Sequence, residues 1–123
     1  MQSALEAIHE YYKAFSTLDV SAIASYYCEP SMPVAPQGVL SAATHAALKD
    51  ALAPIITSLK TRGYGRSEFV EPTVTRLGES DALVRGVAVR YTAAGPELER
   101  IPLSYVMHRT ETGWKIAVLV AEQ

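Results

Sequence analysis

Between Ala4 and Leu18 the apolar residues fall at Ala4, Leu5, Ile8, Tyr11, Tyr12, Phe15 and Leu18, with Glu6, Glu10 and Lys13 off that stripe. This spacing gives one apolar face to a helix. Asp19 stands where an N-cap belongs, and Ala22, Ile23, Tyr26 and Tyr27 supply the buried side of a second, short helix. Pro30 limits that helix, because the residue before a proline is pushed out of the α region. The stretch from Ser31 to Leu40 reads as a short hairpin turning through Ala35-Pro36-Gln37-Gly38, and its prolines suit a sheet edge. Ser41 can cap a third helix carrying Leu48, Leu52, Ile55 and Leu59 on one side, and Gly63 can end it in a left-handed conformation. Pro54 removes a backbone donor inside that helix and predicts a kink or break near Ala53.

After Gly65 the period changes to two. Strands are predicted at 67–77, 81–92, 97–109 and 114–121, with Gly78, Gly95 and Gly113 at the turns. Helices followed by a meander of long strands predict an α+β domain, its helices gathered on one face of a curved, mostly antiparallel sheet. In the last strand both faces are apolar: Trp114, Ile116, Val118 and Val120 on one, Lys115, Ala117, Leu119 and Ala121 on the other. A sheet with one face in water alternates more cleanly. The bulkier face is the expected core and the Ala/Leu face the expected contact of a homodimer.

Composition narrows the classes of function. A chain of 123 residues, 49% hydrophobic and 20% charged, fits a single domain spanning 1–123. Its 13 acidic and 11 basic residues are scattered and sum to −2, so it carries no surface suited to nucleic acid. Cys28, the lone cysteine, has no partner for a disulfide or a zinc framework, which is compatible with a reducing compartment. Glu6, His9 and Glu10 interrupt the apolar run a signal peptide needs, and no stretch of about 18 apolar residues exists. A cytoplasmic protein without a membrane partner is expected.

The segment from Tyr11 to Gly38, with its helix, Asp19, a second helix ending in Tyr26-Tyr27-Cys28 and a proline-bearing strand, resembles the opening of the nuclear transport factor 2-like superfamily. Tyr105-Val106-Met107-His108-Arg109, followed by Gly113-Trp114-Lys115-Ile116, is similar to the closing hairpin of its SnoaL-like and ketosteroid-isomerase-like members. The resemblance follows the order of elements over nearly the whole chain. It implies a cystatin-like cone in which three N-terminal helices and the concave sheet enclose an apolar cavity, often in a homodimer joined through the outer sheet face. Ketosteroid isomerase combines a carboxylate base with an oxyanion hole of a tyrosine and a protonated aspartic acid. The resemblance places Tyr11 at the oxyanion tyrosine and Tyr27 at a supporting tyrosine. It places Ala35 at the base and Tyr105 at the protonated acid, and neither can do that work.

Read from the residues, Tyr105 shares a strand face with Ile101, Leu103 and Met107 and points inward, while His108 falls on the opposite face unless a bulge intervenes. Glu71 is a base only if it faces the cavity, where burial would raise its pKa. Arg85 and Arg90 are either salt-bridged at a sheet edge or anchors for a substrate carboxylate. His9 and His45 have no second ligand at helical spacing, so neither a metal nor another cofactor is expected. Three readings stay open. One is a pocket protein binding a small, largely apolar, flat ligand on Tyr11, Phe15, Tyr27, Met32, Tyr91, Tyr105, Met107 and Trp114, the last as a plug for the cone. Another is a SnoaL-like isomerase, cyclase or dehydratase acting on a carbonyl compound, with Glu71 or His108 moving the proton. The third is an association module that dimerises through its sheet and keeps a vestigial cavity.

Overall fold

A computed structural model describes residues 2–122. Helix α1 (Ala4–Ser16) starts at a capping box in which the Ser3 hydroxyl accepts from the Glu6 amide and the Glu6 carboxylate accepts from the Ser3 amide. Its stripe buries Ala4, Ala7, Ile8, Tyr11, Tyr12 and Phe15. The Asp19 carboxylate caps α2 (Val20–Ala24) by accepting from the amides of Ser21 and Ala22. This helix is shorter than its apolar pattern suggests. Tyr27 and Cys28 already belong to β1 (Tyr27–Ala35), so Pro30 lies within a strand and does not set the end of the helix.

The hairpin of β1 and β2 (Gly38–Val39) pairs Val34 with Val39 and Ala35 with Gly38 and forms one edge of the sheet. Helix α3 (His45–Thr61) is capped by Thr44, not Ser41. The segment before the cap is held instead by reciprocal backbone hydrogen bonds between Ser31 and Ala42, which delay the helix. The buried residues of α3 are Leu48, Leu52, Ile56 and Leu59, leaving Ile55 46% exposed. No break occurs at Pro54. Pro54 and Asp50 both face solvent, so water can satisfy the Asp50 carbonyl that the proline leaves free. Gly63, at φ +78°, ends the helix.

Four long strands complete the sheet: β3 (Tyr64–Arg76), β4 (Asp81–Thr92), β5 (Glu97–Thr110) and β6 (Gly113–Ala121). The order is β2-β1-β6-β5-β4-β3, all antiparallel except the parallel pair of β1 with β6. Helices on one face of a mostly antiparallel sheet make this an α+β fold of the cystatin-like kind.

Two bulges decide which side chains reach the core. On β6, Met107 pairs with Ile116 but Val106 pairs with Val118, so Ala117 is an extra residue and the alternation reverses after it. Trp114, Ile116, Leu119 and Ala121 therefore pack inward, while Val118 and Val120 lie on the outer face. This corrects the expected assignment of the strand's second half. On β3, the register shifts between Val70 and Thr73, and Glu71 takes φ +54°.

Candidate functional site

The cavity lies between α1, α3 and the concave face of the sheet, and its volume is about 80 Å³. Tyr11, Tyr12 and Phe15 from α1 form one wall, with Leu52 and Ile55 of α3 beside them. Tyr27 comes from β1, Ser67 from β3, Ala88 and Arg90 from β4, Leu103 and Tyr105 from β5, and Leu119 from β6. Inward alternation on β5, unbroken from Ile101 to Met107, is what brings Leu103 and Tyr105 to the wall.

Four phenols organise the interior. The Tyr11 and Tyr27 hydroxyls are hydrogen-bonded at 2.8 Å, and those of Tyr12 and Tyr105 at 2.7 Å. Tyr11 packs edge-on against the rings of Tyr12, Tyr27 and Tyr105 at centroid distances of 5.6, 5.6 and 6.0 Å. Burial pushes the Tyr11 phenol up to about 12, against an opposing effect of its hydrogen bond to Tyr27 and the charge of Arg90. Burial likewise raises Tyr12, Tyr27 and Tyr105 well above the usual phenol value. All four are therefore neutral at physiological pH, and they offer hydrogen bonds, not bases. Because each pair is buried, Tyr105→Phe should strand the Tyr12 hydroxyl and cost about 1–3 kcal/mol, whereas Tyr12→Phe with Tyr105→Phe should recover most of that loss. Urea unfolding of the two variants checks it; equal losses would mean that the stranded Tyr12 hydroxyl carries no penalty.

At the mouth of the cavity, next to the exposed Ile55, the Arg90 guanidinium lies 5.1 Å from the Phe15 ring centroid and donates to Glu99 at 2.8 Å. The other Glu99 carboxylate oxygen accepts from Arg62 at the end of α3. Arg90 is thus both salt-bridged and aimed at the cavity. Arg85 lies on the outer face, opposite Ser104 and exposed.

The remaining candidates lie elsewhere. Met32 is on the outer face opposite Val118. Tyr91 is also outside, with the Arg66 guanidinium 4.2 Å from its ring centroid. Met107 is fully buried between Ala82 and Ile116, and Trp114 packs beneath Arg109, so neither lines the cavity. Glu71 is turned by the β3 bulge into an exposed groove on the outer face beside Thr73 and Arg85. His108 is exposed on that face as well, its Nδ1 2.7 Å from Asp81. Among the described residues no carboxylate or imidazole is part of the cavity wall. Cys28 is half-buried, and burial raises its thiol pKa. His45 contacts the Tyr27 carbonyl through Nε2 at 2.8 Å. Sequence reasoning missed Tyr12, Ser67, Glu99 and Arg62; of these only Tyr12 carried a signal, through its place in the α1 stripe.

Among the described residues no helix is long and apolar enough to cross a membrane. The architecture, with its helices on one face of a mostly antiparallel sheet, defines a protein of the cystatin-like, NTF2-like fold. Residues 2–123 match the family described as NTF2-like protein (DUF6841), and the chain belongs to that family. Solved structures agree on the fold. Aln2 from a Streptomyces species is 15% identical, with a TM-score of 0.78 over 94% of this chain and 84% of that one. An NTF2-like protein from Novosphingobium aromaticivorans is 17% identical, with a TM-score of 0.77 over 95% and 77% of the two chains. A candidate dehydratase of the NTF2-like family from Streptomyces avermitilis is 20% identical, with a TM-score of 0.71 over 94% and 89%. No curated protein matches this chain.

Proposed function

We propose that this NTF2-like chain is a small-molecule-binding protein whose tyrosine-lined cavity takes a small, largely apolar ligand. The observation that carries the reading is a cavity of about 80 Å³ whose wall combines aliphatic and aromatic side chains with two hydroxyl pairs. That volume is about half the roughly 150 Å³ that admits benzene to a sealed apolar site, so it holds the branched end of a short aliphatic chain whose polar head stays in the mouth beside Ile55 and Arg90, and not a whole ring system. Proton transfer by Glu71 or His108 is disfavoured by their position on the opposite face of the sheet. Titration with 3-methylbutan-1-ol, followed by NMR, should move the amide signals of Tyr11, Tyr27 and Tyr105 and leave His108 unmoved. Signals of the lining that stay still at saturating alcohol would remove the reading.

A homodimer through the outer sheet face fits the same chain. Met32, Val34, Val39, Val118 and Val120 are neighbours there, and Met32, Val39 and Val120 are 40%, 65% and 38% exposed. A patch of adjacent, partly exposed apolar side chains suits a self-complementary contact. Val120→Glu should convert a dimer into a monomer in sedimentation equilibrium with little change in the thermal midpoint. A wild-type chain that sediments as a monomer at high concentration would contradict the dimer.

A further inference from the structure

The neck of the cavity, beside Arg90, holds a charge arrangement that an apolar ligand does not need. Arg90 and Arg62 both address the single carboxylate of Glu99, one at each oxygen. Two guanidiniums facing one carboxylate leave a positive charge uncompensated at the neck. The other ion pairs of this end, Arg66 with Glu68 and Arg100 with Glu97, are self-contained and lie off the cavity. The Arg90 side chain is only 16% exposed, and its charge reaches the interior, where it lowers the pKa of Tyr11, Tyr12 and Tyr27. Above the neck, a surface groove formed by Pro54, Ile55, Ser58 and Leu59 shares Ile55 and Arg90 with the cavity, so the two are continuous past these arginines.

We infer that the ligand is a short-chain monocarboxylate, its aliphatic body among the tyrosines and its carboxylate bound by Arg90 and Arg62 in place of Glu99. This rests on the small-molecule reading of the cavity. Glu99 is then a built-in surrogate: it keeps the guanidiniums oriented in the empty protein and is displaced by a group of the same charge and shape. A guanidinium can donate two parallel hydrogen bonds to a carboxylate and so prefers it over a hydroxyl of equal size. Arg90, already stacked on Phe15, is preorganised for that contact.

The test compares isovalerate with 3-methylbutan-1-ol, which share the same branched body, on the full chain by NMR titration. Isovalerate should bind at least about tenfold tighter than the alcohol, the difference expected of one charge-assisted contact. Glu99→Gln removes the internal competitor and should tighten isovalerate several-fold while leaving the alcohol unchanged; Arg62→Gln, at an exposed position, should erase much of the preference. Arg90→Gln is the more direct variant, but its buried stem makes the other two the safer pair. Equal affinities, or a Glu99→Gln chain that binds isovalerate no better, would overturn the carboxylate while leaving the cavity reading standing. Failure of both ligands to move the lining signals would overturn both.

Discussion

Raising the pH from 10 to 11 is expected to unfold this domain. An unfolded tyrosine ionises near 10, but Tyr11 holds its proton to about 12, and Tyr12, Tyr27 and Tyr105 are likewise raised well above the usual phenol value, in each case chiefly because of burial. Above pH 10 the native state thus binds more protons than the unfolded state. Their contribution is complete below that pH and is lost as the pH climbs towards the native values. Each proton is worth about 1.4 kcal/mol per pH unit, so four of them remove roughly 5 kcal/mol by pH 11, which is the lower end of the stability of a domain. Far-ultraviolet circular dichroism and phenolate absorbance should change together. Four phenols that ionise while the dichroism persists would show that the cluster is open to water. Replacing Tyr11 and Tyr27 by phenylalanine should flatten the pH dependence towards two protons.

The second large effect is steric. A Cβ on Gly86 would lie 2.5 Å from Cζ and 2.8 Å from Cε1 of Phe69, and 2.9 Å from the Val70 carbonyl oxygen. The ring could swing away, but the carbonyl belongs to the neighbouring strand beside its bulge. Phe69 is itself packed on Tyr12 at 5.2 Å and Tyr105 at 5.7 Å between centroids, so displacing it disturbs the cavity wall. Gly86→Ala should cost about 3 kcal/mol, at the upper end for overpacking, measured by urea unfolding. Combining it with Phe69→Leu should cost less than the sum of the two single changes. Strict additivity would mean that the backbone contact alone sets the penalty.

The order of helices and strands was legible because each element carries its own period: 3.6 on α1, two on β5. What the periods do not announce is an extra residue. Ala117 and the Glu71-Pro72 step add one position each, and every side chain beyond Ala117 changes face as a result. Counting from Trp114 therefore leads Val118 and Val120 into the core, where the folded chain puts Leu119 and Ala121. Counting on β5 works because that strand inserts nothing between Ile101 and Met107. The liners Tyr11, Phe15 and Tyr105 could be found this way; Tyr27 reads as buried from a helical stripe, although it stands on β1. Glu99 and Arg62 could not, since they meet Arg90 only when the end of α3 comes down beside the sheet.

The parallel pairing of β1 with β6 has a consequence for synthesis. This pair joins the hairpin to the meander: β1 carries β2 on its other edge, and β6 carries β5. Among the described residues β1 comes early and β6 last, so the β1 edge that faces β6 stays open until nearly all of them have been made, although β2 covers the other edge. The helices and the β3–β5 meander can form while the chain is still tethered, but their union with the N-terminal hairpin waits for the last strand. Until then the edges of β1 and β5 that β6 will cover are both open to pairing with other chains.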